Sequence, residues 1–267
     1  METIIEIGQA HDGSLGILHS YIDALSETGI NTVKFQTHIS EAESSVEEEF
    51  RVKFSYQDKT RSEYWKRMEF SFENWIEIKN HCEDVGLEFL CTPFSNQAID
   101  LLEKLGVNRY KIGSAEVNNL LMIERVARIG KDVILSTGMT NFDELDLSIN
   151  LLEKFNINYS ILYCVSKYPT SPEEIDLNYI NKIKQRYSVK VGISDHTGEI
   201  WSPIAAKTIG AEIIEAHGVY DKRSFGPDSK ASLTINQIEE LVGILKYIDL
   251  CLKPIDEDEY KKYSKKM

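Results

Sequence analysis

The sequence lacks the features of a membrane-bound or secreted protein. No apolar run among its 267 residues approaches the roughly 20 residues that a transmembrane helix needs. Its first residues, METIIEIGQAHDG, contain no basic segment followed by an apolar signal core. The four cysteines, Cys82, Cys91, Cys164 and Cys251, include no CxxC pair, and we expect free thiols. These absences predict a soluble, cytoplasmic protein without a membrane partner.

Positive charge is also scarce. The chain has 30 lysines and arginines against 43 aspartates and glutamates, which gives a formal net charge of −13. This balance argues against a broad surface for nucleic acid or acidic lipid. It leaves room for a small basic pocket around one anionic substrate. Any phosphate site must therefore be local.

The chain does contain a regular alternation of short β-rich runs and amphipathic stretches. Eight such units predict a closed parallel barrel, a (β/α)8 TIM barrel in a single domain over residues 1–252, followed by a charged tail at 253–267. The predicted strands are 3–7, 31–36, 87–91, 108–112, 132–136, 159–164, 190–194 and 212–216, and the predicted helices lie near 15–28, 73–85, 96–105, 118–129, 142–155, 173–187, 200–209 and 235–252.

A doubly wound sheet would also alternate strands with helices. The dinucleotide-binding form of that fold has a GxGxxG turn after its first strand. Here the first predicted strand is followed by GQAHDGSLG, which has the wrong glycine spacing, and Ser14 is explained as a helix N-cap. The sequence therefore favours the barrel.

Segment 39–71, after the second predicted strand, is too long for an ordinary βα connection. We predict that it forms a lid or an extra helical layer, and a hairpin of surface helices packed on the barrel is the alternative. Basic and aromatic residues alternate in its second half, and this mixture can stack on a sugar and donate hydrogen bonds to its oxygens. These residues are Arg51, Lys53, Phe54, Tyr56, Arg61, Tyr64, Trp65, Lys66 and Arg67.

Polar residues follow almost every predicted strand, at the end where TIM-barrel enzymes have their active sites. A single serine or threonine there usually caps the next helix. Lys34 and Lys111 lie within strands and should face the barrel interior or its mouth, where a buried lysine needs an anionic partner such as phosphate or carboxylate. The other polar residues are Glu6, Gln36, Thr92, Ser114, Glu116, Ser136, Ser166, Tyr168, Ser194, His196 and His217.

Two of these residues, His196 and His217, follow the neighbouring strands seven and eight. This separation suits two imidazoles that share one divalent ion. A lone histidine at a strand end is more often structural or a general base, but a pair beside two lysines favours a metal site. Asp195 and Glu215 are close in sequence and could orient the two rings.

The same segments resemble the sialic acid synthase family, which includes N-acetylneuraminate, legionaminate and pseudaminate synthases. The matches keep the family's order and span residues 6–233. They are EIGQAHDGSL (6–15), VKFQTH (33–38), TPF (92–94), YKIGSAE (110–116), ILSTGM (134–139), YPT (168–170), GISDHT (192–197), EAH (215–217) and GPDSKASL (226–233). The resemblance implies condensation of phosphoenolpyruvate with an aldose, such as N-acetylmannosamine, to a nonulosonic acid and phosphate for surface polysaccharide biosynthesis.

The resemblance also implies roles for particular residues. His196 and His217 would bind a divalent ion, most often Mn²⁺, with Mg²⁺ or Co²⁺ as alternatives. The residues that would bind phosphoenolpyruvate are Lys34, Thr92, Lys111, Ser114, Ser136, Tyr168 and Ser194. Those at positions associated with the sugar or with proton transfer are Glu6, Gln36, Glu116 and Asp228. We add Ser166 and Arg61 as substrate-binding residues. Among these, we predict that Glu6, Lys34, Lys111 and Glu116 are catalytic. We further expect a homodimer or a higher homo-oligomer.

The chain departs from the family in two respects. Ser166-Lys167-Tyr168 stands where many relatives have Asn, another residue and Tyr, so one polar contact near phosphoenolpyruvate is altered. Relatives commonly carry a C-terminal antifreeze-like domain, and we expect this chain to lack it. Two other functions stay open: a Schiff-base aldolase in which Lys111 attacks a keto acid, and a sugar-binding barrel without catalysis.

Overall fold

Eight parallel strands close into a barrel in the computed structural model, which describes residues 1–50 and 55–264. Each strand pairs with its sequence neighbour, and β1 pairs with β8 to close the ring. The predicted (β/α)8 fold and all eight predicted strands are confirmed. The strands are β1 (Glu2–Glu6), β2 (Thr32–Thr37), β3 (Glu88–Pro93), β4 (Arg109–Ile112), β5 (Asp132–Ser136), β6 (Tyr159–Cys164), β7 (Val191–Asp195) and β8 (Ile213–Val219), and a short β9 (Ser232–Thr234) pairs with the end of β8.

The helices surround the barrel, and local sequence sets their ends. Ser14 and Ser95 cap the helices that follow them, and Gly106 and Gly130 end two helices in the left-handed conformation. The helix predicted at 173–187 begins later, because Ile175 is extended (φ −102°, ψ 120°) after a 3-10 turn. The helices are α1 (Leu15–Ser26), α2 (Ser40–Glu43), α3 (Arg61–Met68), α4 (Phe72–Asp84), α5 (Asn96–Leu105), α6 (Leu120–Ile129), α7 (Phe142–Lys154), α8 (Asn178–Tyr187), α9 (Trp201–Thr208), α10 (Ile235–Cys251) and α11 (Glu257–Ser264).

Buried apolar side chains form two clusters. The larger one lies between the outer faces of the strands and the helices. The smaller one fills the interior of the barrel and consists of Ile4, Leu90, Ile134, Leu162 and Ile213. Since side chains alternate along a strand, the residues two positions further on also point inward, nearer the carboxyl-terminal mouth. These residues are Glu6, Thr92, Ser136, Cys164 and Glu215, so a polar layer lies on an apolar floor.

Segment 39–71 contributes α2, α3 and the connection between them. Arg67 fixes α3 by pairing with Asp58 (2.7 Å) and with Asp12 (2.6 Å) in the loop after β1. The segment is thereby packed against the mouth of the barrel. Three residues of the predicted sugar-contacting mixture, Arg51, Lys53 and Phe54, lie outside the described residues.

The cysteines and the helices agree with the absences noted in the sequence. All four cysteines in the described part of the chain are free, as predicted, and only Cys251 is exposed. Over those same residues, no helix combines the length and the apolar character needed to cross a bilayer.

Candidate active site

Two lysines and two glutamates form a compact set of charges inside the barrel. Nζ of Lys34 pairs with Glu6 and lies 4.0 Å from Oε1 of Glu215. Nζ of Lys111 lies 3.4 Å from the same Glu215 oxygen. All four side chains are buried. Lys34 and Lys111 therefore point into the barrel, as their positions in the strands predict, and their anionic partners are carboxylates of the chain itself.

Burial and charge act in opposite directions on these groups. Burial would raise the pKa of Glu215, but Lys111 and Lys34 outweigh it and lower that pKa to about 2. Burial would lower the pKa of Lys34, yet Glu215 and Glu6 raise it. The pKa of Lys111 is lowered because burial, reinforced by the charge of Lys34, exceeds the attraction of Glu215. Lys34 is thus the firmly charged cation, and Lys111 gives up its proton more readily.

Above these charges, the mouth of the barrel holds a cavity of about 290 Å³, here called the inner cavity. Lys111 donates a hydrogen bond to Oγ of Ser136 (2.7 Å), and Ser194 donates one to Glu215 (2.8 Å). Hydroxyl groups and ammonium groups therefore share one space. The predicted site residues that line it are Lys34, Gln36, Thr92, Lys111, Ser114, Ser136, Ser166, Tyr168, Ser194, His196 and His217.

His196 and His217 lie side by side at the edge of the inner cavity, with ring centroids 5.3 Å apart. Nδ1 of His196 faces the carbonyl oxygen of Val165 (2.9 Å), and Nε2 faces the hydroxyl of Tyr168 (3.0 Å). Burial, together with the charge of His196, lowers the pKa of His217 well below its usual value. Burial would also lower the pKa of His196, but contact with Cys164 outweighs it and raises that pKa.

The two rings do not belong to a larger set of converging ligands. Among residues 1–50 and 55–264, no group of three or more His, Cys, Asp or Glu side chains is arranged to hold a metal ion. The chain therefore offers two neighbouring imidazoles. An ion bound there would take its remaining ligands from substrate, from water or from single side chains nearby.

A second cavity of about 390 Å³, the outer cavity, adjoins the inner one and shares Gln36, Tyr168 and His217 with it. The two cavities therefore border each other at these three side chains. Arg61 of α3 lines the outer cavity and pairs with Glu48. Further lining residues are Gln9, Phe50, Tyr64, Trp65, Pro227 and Asp228.

Asp228 lies where the outer cavity meets the histidines. Its Oδ2 is 3.8 Å from Nδ1 of His217. Burial, together with the nearby carboxylate of Glu6, raises the pKa of Asp228 to about 6. This carboxyl group can therefore exist in both protonation states near neutral pH.

Two contacts in the site are not predicted from the sequence. Glu215 contacts both lysines, and Gln9 lines the outer cavity. The inward direction of Glu215 follows from strand alternation once Ile213 is known to lie in the barrel floor. Gln9 follows Gly8, whose φ of +53° turns the chain at the end of β1. No local pattern in the sequence indicates that turn.

Among the described residues, Glu116 and Asp195 do not line the inner or the outer cavity. Glu116 accepts a hydrogen bond from Asn119 (3.0 Å) and does not occur among the described residues that line either cavity. It follows Ala115, which does line the inner cavity. Asp195 accepts a hydrogen bond from Thr197 (2.8 Å) and so stabilises the turn after β7.

Comparisons with known proteins agree with this architecture. The sequence model of the NeuB family matches residues 21–254. The N,N'-diacetyllegionaminic acid synthase of Campylobacter jejuni is 31% identical over 268 residues, which cover 98% of this chain and 79% of that protein. The pseudaminic acid synthase of Helicobacter pylori is 33% identical over 253 residues, which cover 93% of this chain and 74% of that protein.

A solved structure shows the same likeness. The N-acetylneuraminic acid (sialic acid) synthetase of Leptospira borgpetersenii, determined in complex with citrate, superposes with a TM-score of 0.85 at 27% identity. The match covers 99% of this chain and 90% of that one. The resemblance to sialic, legionaminic and pseudaminic acid synthases is thereby confirmed. Because the family's sequence model spans most of the barrel and these relatives align over nearly the whole chain, the protein belongs to the NeuB family.

Proposed function

We propose that this chain condenses phosphoenolpyruvate with an open-chain aldose, forming a nonulosonic acid and releasing phosphate. The observation that carries the proposal is the pair of buried lysines, Lys34 and Lys111, that line an inner cavity bordered by a larger outer one. A small, strongly anionic substrate and a larger polyhydroxylated one need two such compartments. The names of the synthase relatives support the same class of product.

The inner cavity suits phosphoenolpyruvate. Carboxylate and phosphate groups bind best to ammonium groups and to hydroxyl donors. Lys34 and Lys111 supply the former, and Thr92, Ser136 and Ser194 are among the latter. The two lysines already share the carboxylate of Glu215, so an incoming anion would join a set of charges that is held in place before binding.

The outer cavity suits the aldose. Arg61 offers hydrogen-bond donors there, and Tyr64 and Trp65 offer aromatic surface, a combination common in sugar sites. N-acetylmannosamine or a related sugar is the proposed substrate, and surface polysaccharide the proposed destination of the product. The proposal gives segment 39–71 a part in sugar binding.

We propose that His196 and His217 hold a divalent cation, Mn²⁺ in the first instance, with Mg²⁺ or Co²⁺ as alternatives. Three observations support this: the two rings are adjacent, the lowered pKa of His217 favours its neutral form, and the carbonyl oxygen of Val165 faces Nδ1 of His196. Because the pKa of His196 is raised, the ion would have to displace a proton from that ring. When bound, such an ion polarises a carbonyl oxygen and stabilises the negative charge that develops on it.

The remaining chemistry belongs to the chain's own side chains. Lys34 and Lys111 fix the phosphate and the carboxylate, so that C3 of phosphoenolpyruvate faces the aldehyde carbon. Asp228, with its pKa near 6, can give a proton to the aldehyde oxygen as the carbon–carbon bond forms. Glu6 has one oxygen, Oε1, without a hydrogen-bond partner among the described residues, and it can receive the proton of the water that adds to C2 before phosphate leaves.

The test is to incubate the protein with phosphoenolpyruvate, Mn²⁺ and a panel of aldoses and to measure released phosphate. We expect release that requires both substrates, disappears in EDTA and returns with added Mn²⁺. His196→Ala and His217→Ala should lose most activity while circular dichroism stays unchanged. Turnover by metal-stripped protein in excess EDTA would contradict the metal, and no phosphate release with any aldose would contradict the reaction.

The lowered pKa of Lys111 favours a second candidate, a Schiff-base aldolase, because an amine must lose its proton before it attacks a carbonyl. That reaction predicts a keto acid adduct on Lys111 that borohydride traps, and activity that ignores chelators. Against it stands Glu215, whose carboxylate lies 3.4 Å from the lysine. A sugar-binding barrel without catalysis would bind aldose but release no phosphate.

We also propose that the protein assembles as a homodimer or a higher homo-oligomer. This expectation rests on the family resemblance. Light scattering of the purified protein measures the assembled mass directly, and a monomer at micromolar concentration would contradict it.

A further inference from the structure

We propose that His38 is a positioning residue that fixes the amide of Gln36, so that its Nε2 faces the outer cavity as a hydrogen-bond donor to the sugar. The inference rests on the proposed function, because it assigns the orientation of a group that would contact the aldose. His38 is buried (8% exposed) and does not itself line the described walls of either cavity. It therefore acts through a neighbour.

Both ring nitrogens of His38 meet acceptors. Nδ1 lies 2.7 Å from Oε2 of Glu43, and Nε2 lies 2.9 Å from Oε1 of Gln36. A carboxylate and an amide oxygen can only accept hydrogen bonds, so the ring donates through both nitrogens. The second oxygen of Glu43 accepts the backbone N–H of Ile39 (2.7 Å), which holds that carboxylate in place.

Aromatic rings enclose the imidazole on both sides. The ring of Trp65 lies on one side at a centroid distance of 3.8 Å and an angle of 16°, and that of Phe94 lies at 4.3 Å and 17°. A doubly donating imidazole carries a positive charge, and the faces of aromatic rings stabilise a cation. The stack also leaves the ring no room to turn, so its two donor directions are fixed.

A donor at Nε2 of His38 and a Gln36 amide whose oxygen faces that ring require each other, and the contact from Gln9 supports the same orientation. Oε1 of Gln36 accepts from Nε2 of Gln9 and, in the proposed state of the ring, from Nε2 of His38, and these two nitrogens lie 3.3 Å apart. In that state the 3.3 Å approach joins two donors that share one acceptor and is not itself a hydrogen bond. A reversed amide would place its N–H groups against two other donors. Nε2 of Gln36 therefore points the other way.

Nε2 of Gln36 points towards Gly8, where polar groups of Glu6 and Asp228 also lie. A methyl group added at Gly8 would lie 3.4 Å from Oε1 of Glu6 and from Oδ2 of Asp228, and 3.7 Å from Nε2 of Gln36. One amide donor thus faces the same space as two carboxyl oxygens. A sugar hydroxyl placed there can accept from Gln36 and donate to a carboxylate at once, whereas the reversed amide would offer it acceptors only.

The kinetic test compares His38→Phe, which keeps the stack but removes both donors, with His81→Phe. His81 is a half-buried histidine of the outer helix α4 that pairs with Asp23, and it serves as the matched control. We expect His38→Phe to raise KM for the aldose about tenfold, the value of one hydrogen bond, with KM for phosphoenolpyruvate changed less than about twofold. His81→Phe should change neither constant.

A double-mutant cycle separates positioning from a merely structural role. If His38 acts through Gln36, then Gln36→Leu combined with His38→Phe should raise KM for the aldose no further than Gln36→Leu alone. The inference would be overturned if the rise in KM of the double variant equalled the product of the two single rises. It would also be overturned if His38→Phe left KM for the aldose unaltered. Should His38→Phe fail to fold, Glu43→Gln, which weakens the same ring orientation, takes its place with an expected rise of about threefold.

A second readout does not depend on activity. In protein labelled with ¹⁵N histidine, the signals lost in His38→Phe identify His38, and both of its ring nitrogens should carry protons. A ring nitrogen without a proton would overturn the inference even in an active enzyme. An absence of phosphate release with every aldose would instead contradict the proposed function and leave the nuclear magnetic resonance result to decide the orientation of Gln36.

Discussion

Lys34 and Lys111 differ in how firmly each holds its proton, although they share the same carboxylate. Burial acts to lower the pKa of both, but Lys34 also pairs directly with a second carboxylate, Glu6, which helps to outweigh burial and raises its pKa. A lysine that stays charged suits the binding of anions, and one that loses its proton suits covalent chemistry. Experiments on Lys111 therefore distinguish anion binding from Schiff-base chemistry.

We expect Lys111→Arg to keep measurable phosphate release, because the cation is retained. Lys111→Met should lower kcat/KM for phosphoenolpyruvate at least about 100-fold, since it removes the nearer of the two lysines that neutralise the buried Glu215 carboxylate. Lys131→Met is the control, because that lysine pairs with Glu103 near the protein surface. If the arginine variant were as inactive as the methionine variant and the wild type gave a borohydride-trapped adduct, the aldolase would be favoured.

His11 makes a separate prediction about stability and pH. Its Nδ1 accepts the N–H of Gly13 (3.0 Å), and burial, with the charges of His38 and Arg67, lowers its pKa from 6.5 to about 4. A histidine that is neutral in the fold but protonates in the unfolded chain costs stability as pH falls from 6.5 towards 4, by about 3 kcal/mol in all. Above pH 6.5 the cost is absent.

Urea unfolding at pH 7.5 and pH 5 measures this effect. His11→Asn keeps an acceptor for Gly13 but cannot be protonated, so the wild type should lose about 2 kcal/mol more than the variant between these two values. Equal losses in the two proteins would show that His11 does not titrate in this range.

At the scale of elements, α3 carries two arginines with different tasks. Arg61 lines the outer cavity, whereas Arg67 ties the helix to Asp12 and Asp58. Arg61→Ala should raise KM for the aldose about tenfold without changing KM for phosphoenolpyruvate, because it removes one charged donor from the sugar compartment. Unchanged aldose kinetics would remove Arg61 from sugar binding.

Arg67→Ala should instead loosen the whole segment. The guanidinium holds two carboxylates and the carbonyl oxygen of Asp12 (3.0 Å), so its loss frees α3 from the loop after β1. We expect limited chymotrypsin digestion to cleave within residues 39–71 faster than in the wild type. Lys66→Ala is the control on the same helix, since Lys66 is largely exposed. A cleavage rate like that of the control would contradict the anchoring role.

The sequence predicts the strands well but does not show how segment 39–71 is anchored, for a physical reason. Strands such as β5 and β6 are marked by local apolar runs, and their observed bounds equal the predicted ones. The position of α3 depends on pairs such as Arg67 with Asp12, which are 55 residues apart in the chain. No local pattern encodes such a contact.

At the scale of the whole molecule, closure of the barrel depends on Gly192. A Cβ there would lie 2.0 Å from the carbonyl oxygen of Ile213 on the neighbouring strand, so β7 and β8 could not keep their spacing. Gly192→Ala should therefore destabilise the fold by about 3 kcal/mol. Gly243→Ala, in helix α10 with open space around it, should stabilise by about 1 kcal/mol. Urea unfolding of both variants gives the comparison, and similar stabilities would contradict this account of closure.

The location of the candidate site is predictable from the sequence, but its internal pairing is not. Chemistry at the carboxyl ends of barrel strands is a general rule, and it suffices to gather Ser136, His196 and His217 at one mouth. The pairing of the charged side chains depends on strand register. Glu6 of β1, for example, lies opposite Lys34 of β2. Among the described residues, Glu116 does not line either cavity although Ser114 and Ala115 line the inner one, and no general rule tells how far a loop follows the barrel axis after its strand ends.

The stack of Trp65 on His38 has an optical consequence. A protonated imidazole in contact with an indole ring accepts an electron from its excited state and quenches its fluorescence. Of the other two tryptophans, Trp75 is buried in the core and Trp201 is largely exposed to solvent, so neither shares this surrounding. If His38 carries both ring protons as proposed, Trp65 should be quenched while α3 packs on His38 and should brighten when that contact is lost. The fluorescence intensity of Trp65 would then report whether α3, which borders the outer cavity, keeps its contact with His38.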